Sequence, residues 1–315
     1  MSIRVLKSGL LTTLQDRGRS GWAMLGVGTA GAMDDVALRL ANALVGNAPD
    51  AAALEITLIG PRLRFDADAT IALTGADHPD VPMWRALSVA AGSVLDIGAA
   101  RHGARAYLAI AGGFAVERLL GSAATDVNAK LGGIDGRPLR EGDRLATGVG
   151  PAQPEPPHPP WSLDPRPWFD ADPATPIRLL RGTHFDALDA ASRAALFERE
   201  FRVASDSNRV GFRLDGPRLA LSAPLELVSE PLAAGTLQLP PGGQPIALMA
   251  EHPTIGGYPR IGHVAAVDLA RLAQRRPGEG VRFAPIELDD AQTRYLERER
   301  ELARMIEAIH GRLNA

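Results

Sequence analysis

The chain has 315 residues, of which 45% are apolar and 23% charged, and its formal net charge is −3. Such a composition is typical of a soluble globular protein of about two domains, and it excludes the strongly basic surface that nucleic acids and anionic membranes select. The absence of cysteine excludes disulfides, thiolate metal sites and a cysteine nucleophile.

The N-terminal segment contains a short alternating stretch, residues 3–6, that predicts a strand. Arg4 and Lys7 lie within it or beside it, which argues against a signal peptide. The sequence contains no apolar run of about 18 residues, so a membrane-spanning segment is not expected. We therefore expect a cytoplasmic protein.

Two polar or glycine-rich stretches follow this strand. Gln15, Asp16 and Arg19 belong to a loop of mixed charge, which is either a solvated turn or part of a binding surface. Residues 26–31 have the glycine spacing of the dinucleotide-binding fingerprint, but neither a buried strand nor a βαβ unit surrounds them. A nucleotide site is therefore disfavoured, and a turn that lets the backbone approach a ligand or partner remains open.

Apolar spacing predicts a helix over about residues 34–45, capped by Asp34 or Asp35 and ended by the Gly46-Asn47 pair. Short β-rich stretches at 70–74, 93–97 and 106–110 predict strands. Residues 150–176 then contain ten of the 25 prolines, which predicts a stiff linker outside any core.

The second half begins with a predicted strand at 177–180 and a predicted helix at about 186–200. Further strands are predicted at 225–228, 236–239 and 246–249. Many short strands with few helices favour a mainly β fold with a closed or nearly closed barrel, because a barrel hides its edges. A last helix, 289–310, carries one apolar face and is expected to pack on the second domain or on a partner.

The two halves of the chain are similar to each other in four short stretches that occur in the same order. The pairs are residues 3–7 with 177–181, 60–63 with 216–219, 90–94 with 233–237, and 112–114 with 256–258. A coincidence of common Gly/Ala turns is the alternative to a duplication. The repeat predicts two tandem β-rich domains, 1–149 and 177–286, joined by the linker 150–176 and followed by the helical segment 287–315.

Residues 208–214 of the second half predict a strand with Arg209, Gly211 and Arg213 on one face. Two arginines beside a bare glycine would make a flat cationic slot that suits bidentate binding of a carboxylate. Two surface salt bridges are the alternative.

Turn-forming residues surround further polar candidates. Glu230 lies at the end of a strand, Gln238 lies in the next one, and Thr254 and Tyr258 belong to the turn-rich stretch 251–260. Paired glycines there could expose N–H groups to an oxyanion, or the stretch could be a hairpin with a packed tyrosine. The seven histidines have no close pairing that would indicate a metal site, and no Gly-x-Ser-x-Gly motif indicates a serine hydrolase.

Seven motifs carry a family resemblance, and they lie at residues 14–19, 31–34, 44–47, 53–55, 208–214, 229–231 and 256–259. In this order they resemble the 5-oxoprolinase C subunit, a family also called allophanate hydrolase subunit 2 or biotin-dependent carboxyltransferase (KipA-like). The likeness runs from about residue 3 to residue 286. This chain departs from the pattern in a shortened hairpin after Asp77 and in His252-Pro253, where relatives usually carry Gln-Thr.

The resemblance implies two tandem cyclophilin-like domains and a role in a complex. It implies a B-type (KipI-like) partner and an A-type (LamB/YcsF-type) partner, which together use ATP with Mg to open 5-oxoproline to glutamate. A second implied role is the carboxyltransferase component of a urea- or guanidine-type carboxylase, with biotin on a separate chain. A third is a non-enzymatic antagonist of a histidine-kinase inhibitor.

Residue chemistry assigns tasks within the first of these roles. We expect Arg209 and Arg213 to bind the substrate carboxylate, with Asn208 orienting them, and Glu230 and Tyr258 to act in catalysis. Gln238 and Thr254 would complete the pocket. Gln15, Asp16 and Arg19 are second candidates, at a seam between subunits. No metal site is expected in this chain.

Overall fold

The computed structural model describes residues 2–148 and 161–313, which fall into two compact units. The first unit comprises the described parts of residues 1–19, 30–170 and 301–315. The second comprises residues 20–29 and 171–300. Within the described ranges, no helix has both the length and the apolar character that crossing a bilayer requires.

Nine strands and one helix form the body of the first unit. They are β1 (Ser2–Lys7), β2 (Leu11–Gln15), α1 (Asp35–Leu44), β3 (Ala53–Thr57), β4 (Arg62–Phe65), β5 (Ala69–Asp77), β6 (Ala86–Val89), β7 (Val94–Asp96), β8 (His102–Ile110) and β9 (Arg144–Ala146). The strands make a four-stranded sheet of order β7-β4-β1-β9 and a five-stranded sheet of order β2-β3-β8-β5-β6.

The two sheets of the first unit share one apolar core. Ile3 and Val5 of β1 cluster with Leu54 of β3, Leu73 of β5 and Leu108 of β8. Successive side chains of a strand point to opposite faces of its sheet. One face of the five-stranded sheet contributes to this core. Its other face packs against α1.

Helix α1 begins as its sequence predicts. The Asp34 side chain accepts a hydrogen bond from the backbone N–H of Ala37 at 3.0 Å, which caps the first turn. Leu40 and Leu44 are fully buried and cluster with Tyr107 of β8. The apolar face of α1 therefore fixes the position of residues 31–34, which precede it.

The end of the predicted linker does not behave as a spacer. Trp161, Leu163 and Trp168 pack against the cluster around α1, and the Leu163 N–H donates to the Trp84 carbonyl at 2.8 Å. The expectation of a linker is therefore wrong for residues 161–170. Burial of their aromatic and leucine side chains is favourable, and the prolines among them do not prevent it. The predicted linker residues 150–160 lie outside the described residues.

The C-terminal helix α4 (Leu288–Leu313) also differs from the expectation. Leu302, Ile306 and Ile309 are buried in the same cluster as α1, and residues 301–313 belong to the first unit. The prediction that the apolar face of this helix packs on the second domain is therefore wrong. The apolar spacing predicted the buried face of the helix correctly, but it contained no information on which residues pack against that face.

The second unit contains ten strands and two further helices. They are β10 (Ile177–Arg181), α2 (Ala190–Glu198), β11 (Phe201–Val203), β12 (Gly211–Asp215), β13 (Glu230–Pro231), β14 (Thr236–Gln238), β15 (Ile246–Leu248), β16 (Ile255–Gly256), β17 (Arg260–Val264), α3 (Leu269–Ala273), β18 (Gly280–Val281) and β19 (Phe283–Pro285). Residues 225–228, all of them described, form no regular strand, so that prediction is wrong.

Eight of these strands form a nearly closed barrel. Their order is β18-β11-β12-β15-β14-β17-β10-β19, and one residue, Arg282, separates the first strand of this order from the last. The sheet therefore returns to its own starting point along the chain. The mainly β fold with a barrel and few helices is confirmed.

Strands β13 and β16 pair only with each other in a separate two-stranded sheet, at least within the described strands. We call residues 230–232 and 254–256 the ribbon. Glu230 lies opposite Gly256, and the Leu232 N–H donates to the Thr254 carbonyl at 3.0 Å.

Candidate functional site

The candidate site lies on two neighbouring strands of the barrel, β14 and β17. Their antiparallel register places Thr236 opposite His263 and Gln238 opposite Arg260. Directly opposed residues of such a pair share one face of the sheet. We call these four residues the polar quartet.

A bulge in β17 brings Arg260 and His263 to the same side. Residues three apart in a regular strand point to opposite faces. Here Leu237 faces Gly262 while Gln238 faces Arg260, so Ile261 is the extra residue of a bulge. Ile261 is fully buried, and Arg260 and His263 both line one cavity.

This cavity has a volume of about 300 Å³, which is at the small end of ligand pockets, about 300–1,000 Å³. Its polar lining includes Thr236, Arg260 and His263, and its apolar lining includes Pro231 and Leu232 of the ribbon. A few polar groups converging on a small apolar-walled cavity is the usual composition of a small-molecule site.

Arg260 is held from three directions. Its Nη2 donates to Glu230 Oε2, its backbone N–H donates to His184 Nδ1 at 3.1 Å, and its carbonyl accepts from the His184 N–H at 2.9 Å. The Arg260 side chain is 26% exposed, whereas that of Glu230 is 47% exposed. The Arg260 side chain is therefore the more buried member of the ion pair, and the two contacts with His184 fix its backbone.

Gln238 presents a buried amide group next to the ribbon. The residue is 5% exposed, and its Nε2 has no hydrogen-bond partner within the described residues. A Cβ built on Gly256 would lie 3.0 Å from this Nε2 and 2.7 Å from Leu232 Cδ1. Glycine at position 256 therefore lets the ribbon lie directly against the amide of Gln238.

His263 supplies a neutral imidazole to the cavity. Its Nδ1 lies 3.5 Å from Thr236 Oγ1, and burial lowers the pKa of its imidazole below the ordinary value of 6.5. At neutral pH the ring therefore adds no charge beside Arg260, and each nitrogen can donate or accept one hydrogen bond according to the tautomer.

The predicted slot of two arginines is wrong in its geometry. Strand β12 begins at Gly211, so the alternation does not extend back to Arg209. Arg209 is buried and its Nε donates to Glu251 Oε1 at 2.6 Å, which neutralises the buried charge. Arg213 is exposed and pairs with Asp206 at 3.1 Å.

Asn208 lies in the turn before the strand, where its Oδ1 accepts from the Val210 N–H at 2.8 Å. In the described part of the chain, the lining of the cavity includes neither Asn208 nor the two arginines. Their predicted roles in substrate binding have no other support in the structure.

Of the remaining candidates in this half, Glu230 pairs with Arg260 of the cavity wall, and Gln238 lies opposite Arg260 on the neighbouring strand. Thr254 contributes its carbonyl to the ribbon, and Tyr258 is 48% exposed just before Arg260. The structure thus places Glu230, Thr254 and Gln238 on the ribbon and β14, whereas Tyr258 lies between β16 and β17. Their roles in binding and catalysis stay predictions.

Gln15, Asp16 and Arg19 are buried in the first unit. Asp16 accepts from Ser122 Oγ at 2.6 Å and from the Ala123 N–H at 2.6 Å. Gln15 Nε2 donates to the Thr125 carbonyl at 2.9 Å, and Arg19 Nη2 donates to the Ala124 carbonyl. These side chains hold the loop 122–125 in place, so the expectation that they lie at a seam between subunits is wrong.

Two other motifs of the first unit also meet in a buried network. The Tyr107 hydroxyl donates to Glu55 Oε2 at 2.7 Å, and the Met33 N–H donates to the same oxygen at 2.8 Å. The Asp34 N–H donates to the Tyr107 hydroxyl at 2.8 Å. Desolvation, and then the charge of Glu55, raise the pKa of Tyr107 well above its ordinary value, so the hydroxyl stays protonated as a donor.

In the glycine-rich segment 26–31, the close backbone approach is made by Gly31, within the first unit. Gly31 has a φ of 86°, and a Cβ at this position would lie 2.7 Å from the Gly18 nitrogen. The close approach that glycine permits here is therefore to the chain's own loop.

Sequence reasoning missed Thr236, Arg260 and His263. Arg260 is the last residue of the turn-rich stretch 251–260, from which Thr254 and Tyr258 were predicted. The same signal could therefore have indicated Arg260. No sequence signal marks the bulge at Ile261 that turns Arg260 and His263 together. Among the described residues, no three His, Asp or Glu side chains are grouped to hold a metal ion.

Comparisons with known proteins identify the family. The family described as carboxyltransferase domain, subdomain A and B, matches residues 25–285. The 5-oxoprolinase C subunit of Escherichia coli (strain K12) is 38% identical over 94% of this chain and 96% of that protein. The protein of the same name from Haemophilus influenzae is 38% identical over 89% of each chain.

A solved structure agrees with the sequence relatives. The crystal structure of the Kluyveromyces lactis urea amidolyase matches 98% of this chain with a TM-score of 0.84 and 28% identity, and the match spans 20% of that much longer chain. The resemblance found in the seven motifs is thereby confirmed. The chain belongs to the carboxyltransferase domain family, subdomains A and B, whose members include the 5-oxoprolinase C subunit.

Proposed function

We propose that this chain is the C subunit of a 5-oxoprolinase, an enzyme complex that opens the lactam of 5-oxoproline to give glutamate. The observation that carries this proposal is the extent of the match, since 94% of this chain corresponds to 96% of the E. coli protein at 38% identity. The urea amidolyase match is weaker in identity, at 28%, and spans a fifth of that protein.

The chemistry of the reaction fits a protein with a small polar cavity. A lactam carbonyl is a weak electrophile, so ATP with Mg is expected to supply the activation by phosphorylating the carbonyl oxygen. The cavity of about 300 Å³ has the size of the lactam and not of a nucleotide. We therefore assign the lactam, and not the nucleotide, to this cavity.

The polar quartet has the groups that such a substrate needs. Arg260 offers a cation for the substrate carboxylate, and Gln238 offers an amide donor for a carbonyl oxygen. His263 is neutral and can exchange a proton with the ring nitrogen or with water. Glu230 forms the ion pair with Arg260 that a substrate carboxylate would have to replace.

The partners follow from the same proposal. The E. coli relative is named as one lettered subunit of its enzyme, which indicates a complex. We propose a B-type (KipI-like) and an A-type (LamB/YcsF-type) protein as the other members. The complex would work in the cytoplasm, where ATP is available.

The test is reconstitution from the three purified proteins. We expect glutamate and ADP to form together, only when 5-oxoproline, ATP, Mg and all three proteins are present. Omitting this chain is the control for background ATP hydrolysis. A complete mixture that leaves 5-oxoproline unchanged would reject the proposal.

A second function is favoured by the fold match to urea amidolyase at a TM-score of 0.84. In that case the same cavity would hold a planar nitrogen nucleophile such as urea, and a carboxyl group would arrive on biotin carried by another chain. Activity that requires bicarbonate and a biotinylated carrier, and that avidin blocks, would select this function over the first.

A further inference from the structure

Arg260 already has a carboxylate partner, and that partner comes from the ribbon. Glu230 belongs to a sheet whose two strands have two residues each, and the Glu230 side chain is 47% exposed. Arg260 belongs to the barrel, its side chain is 26% exposed, and His184 fixes its backbone. One member of this ion pair can therefore leave at little cost, while the other stays in the cavity wall.

Gln238 lies beneath the same ribbon with a donor that nothing in the described part of the chain satisfies. The register places Gln238 directly opposite Arg260. A buried donor without an acceptor is unfavourable unless a ligand supplies one. Leu232 and Gly256 of the ribbon lie against this amide, so the ribbon covers it.

We propose that Glu230 occupies the place of a ligand carboxylate on Arg260. A small monocarboxylate with an amide group displaces Glu230, and its amide carbonyl oxygen accepts a hydrogen bond from Gln238 Nε2. The ribbon moves outward with Glu230 when the ligand enters. The identity of the ligand as 5-oxoproline rests on the proposed function.

The geometry of this ligand class suits the two protein groups. Side chains opposed across two antiparallel strands start about 5 Å apart, so a guanidinium and an amide there can hold two groups of one small molecule. In 5-oxoproline the carboxylate and the lactam carbonyl are attached on either side of the ring nitrogen. A ligand that lacks the carboxylate cannot compete with Glu230 for Arg260.

The charge balance explains why an internal carboxylate is present at all. Without Glu230, Arg260 would face a partly buried cavity beside a neutral His263, which adds no counter-charge. Glu230 supplies the counter-charge and must then be displaced. Its removal should therefore strengthen ligand binding, whereas removal of a group that contacts the ligand weakens it.

Calorimetric titration of the 315-residue chain with 5-oxoproline tests this inference. We expect Glu230→Gln to bind at least about threefold more tightly than the wild type and Arg260→Gln to bind at least about tenfold more weakly. Arg260→Lys keeps the charge but loses the planar fork, so it should lie between Arg260→Gln and the wild type. Neutral 2-pyrrolidone, the same ring without the carboxylate, should bind at least about tenfold more weakly than 5-oxoproline.

A matched Arg–Glu pair elsewhere in the second unit serves as the control. Arg202 Nη2 donates to Glu200 Oε1 at 2.8 Å in an exposed ion pair, and neither residue belongs to the described lining of the cavity. Glu200→Gln and Arg202→Gln should leave the affinity within about twofold of the wild type. Circular dichroism and thermal unfolding establish that each variant is folded.

Three results would overturn the inference: no saturable binding by the wild-type chain, equal binding of 2-pyrrolidone, or a Glu230→Gln chain that binds no better than the wild type. The reconstituted activity is measured separately. Tighter binding by Glu230→Gln without turnover in the wild-type complex keeps the inference and rejects the proposed function. Turnover by the wild-type complex without tighter binding by Glu230→Gln supports the proposed function and rejects the inference.

Discussion

The polar residues described above have different uses in the two units. In the first unit, Asp16, Glu55 and Tyr107 are buried and hydrogen-bonded to backbone or to one another. In the second, Arg260 lines a cavity, and Gln238 beside it has a donor without a partner among the described residues. These polar residues therefore stabilise the fold in one unit and border the candidate site in the other. Sequence motifs alone did not separate these two uses, whereas hydrogen-bond partners do.

The largest effect is expected from Asp16→Ala in the first unit. The carboxylate accepts from Ser122 and from the N–H groups of Gly18 and Ala123, and its loss leaves these donors without their acceptor. We expect the free energy of unfolding to fall by about 3–4 kcal/mol, measured by urea denaturation. A change below about 1 kcal/mol would show that Asp16 is not needed to hold the loop 122–125.

Tyr107→Phe should have the next largest effect on stability. The variant removes the hydroxyl that donates to Glu55 and accepts from the Asp34 N–H, so we expect a loss of about 1–3 kcal/mol. The KM for 5-oxoproline in the reconstituted complex should not change. A raised KM with unchanged stability would contradict the division between the units.

Gln238→Leu should act in the opposite direction. Leucine has a similar size and no unsatisfied donor, so we expect the free energy of unfolding to rise by up to about 1 kcal/mol. The same variant should bind 5-oxoproline at least about tenfold more weakly, because the carbonyl oxygen loses its donor. Denaturation and titration of one preparation give both values, and a loss of stability would indicate that Gln238 has a structural role.

The smallest effect concerns pH and His263. Its pKa in the folded protein is below the ordinary 6.5 because of burial, so the unfolded chain takes up the proton first as pH falls. The stabilisation from the neutral ring is complete above pH 6.5 and is lost as pH falls through the folded pKa. The difference in unfolding free energy between wild type and His263→Gln should therefore shrink between about pH 7 and pH 5, and a constant difference would contradict it.

The sequence predicted local structure better than it predicted the site. The cap at Asp34, the strands at 177–180 and 246–249 and the barrel class follow from short-range patterns, and the structure agrees with them. The arginine slot failed because it assumed that alternation continued through Arg209, where the chain is not yet a strand. The bulge at Ile261 places Arg260 and His263 on one face although regular alternation would separate them. Periodicity in the sequence cannot reveal such a bulge.

Long-range packing was the other gap. The apolar face of α4 and the aromatic residues at Trp161 and Trp168 were visible in the sequence, but their partner, the cluster around α1, was not. Apolar spacing predicts which face of an element is buried. The residues that cover this face are known only from the fold.

The junction at Arg282 determines when the barrel of the second unit can close. Its two terminal strands, β18 and β19, come from one stretch of chain, residues 280–285, and they pair with β11 and β10 respectively. A growing polypeptide that has not yet reached this stretch leaves the outer backbone groups of β10 and β11 unpaired, and unpaired strand edges favour association with other chains. Synthesis past residue 285 is therefore the step that protects the nascent unit from aggregation.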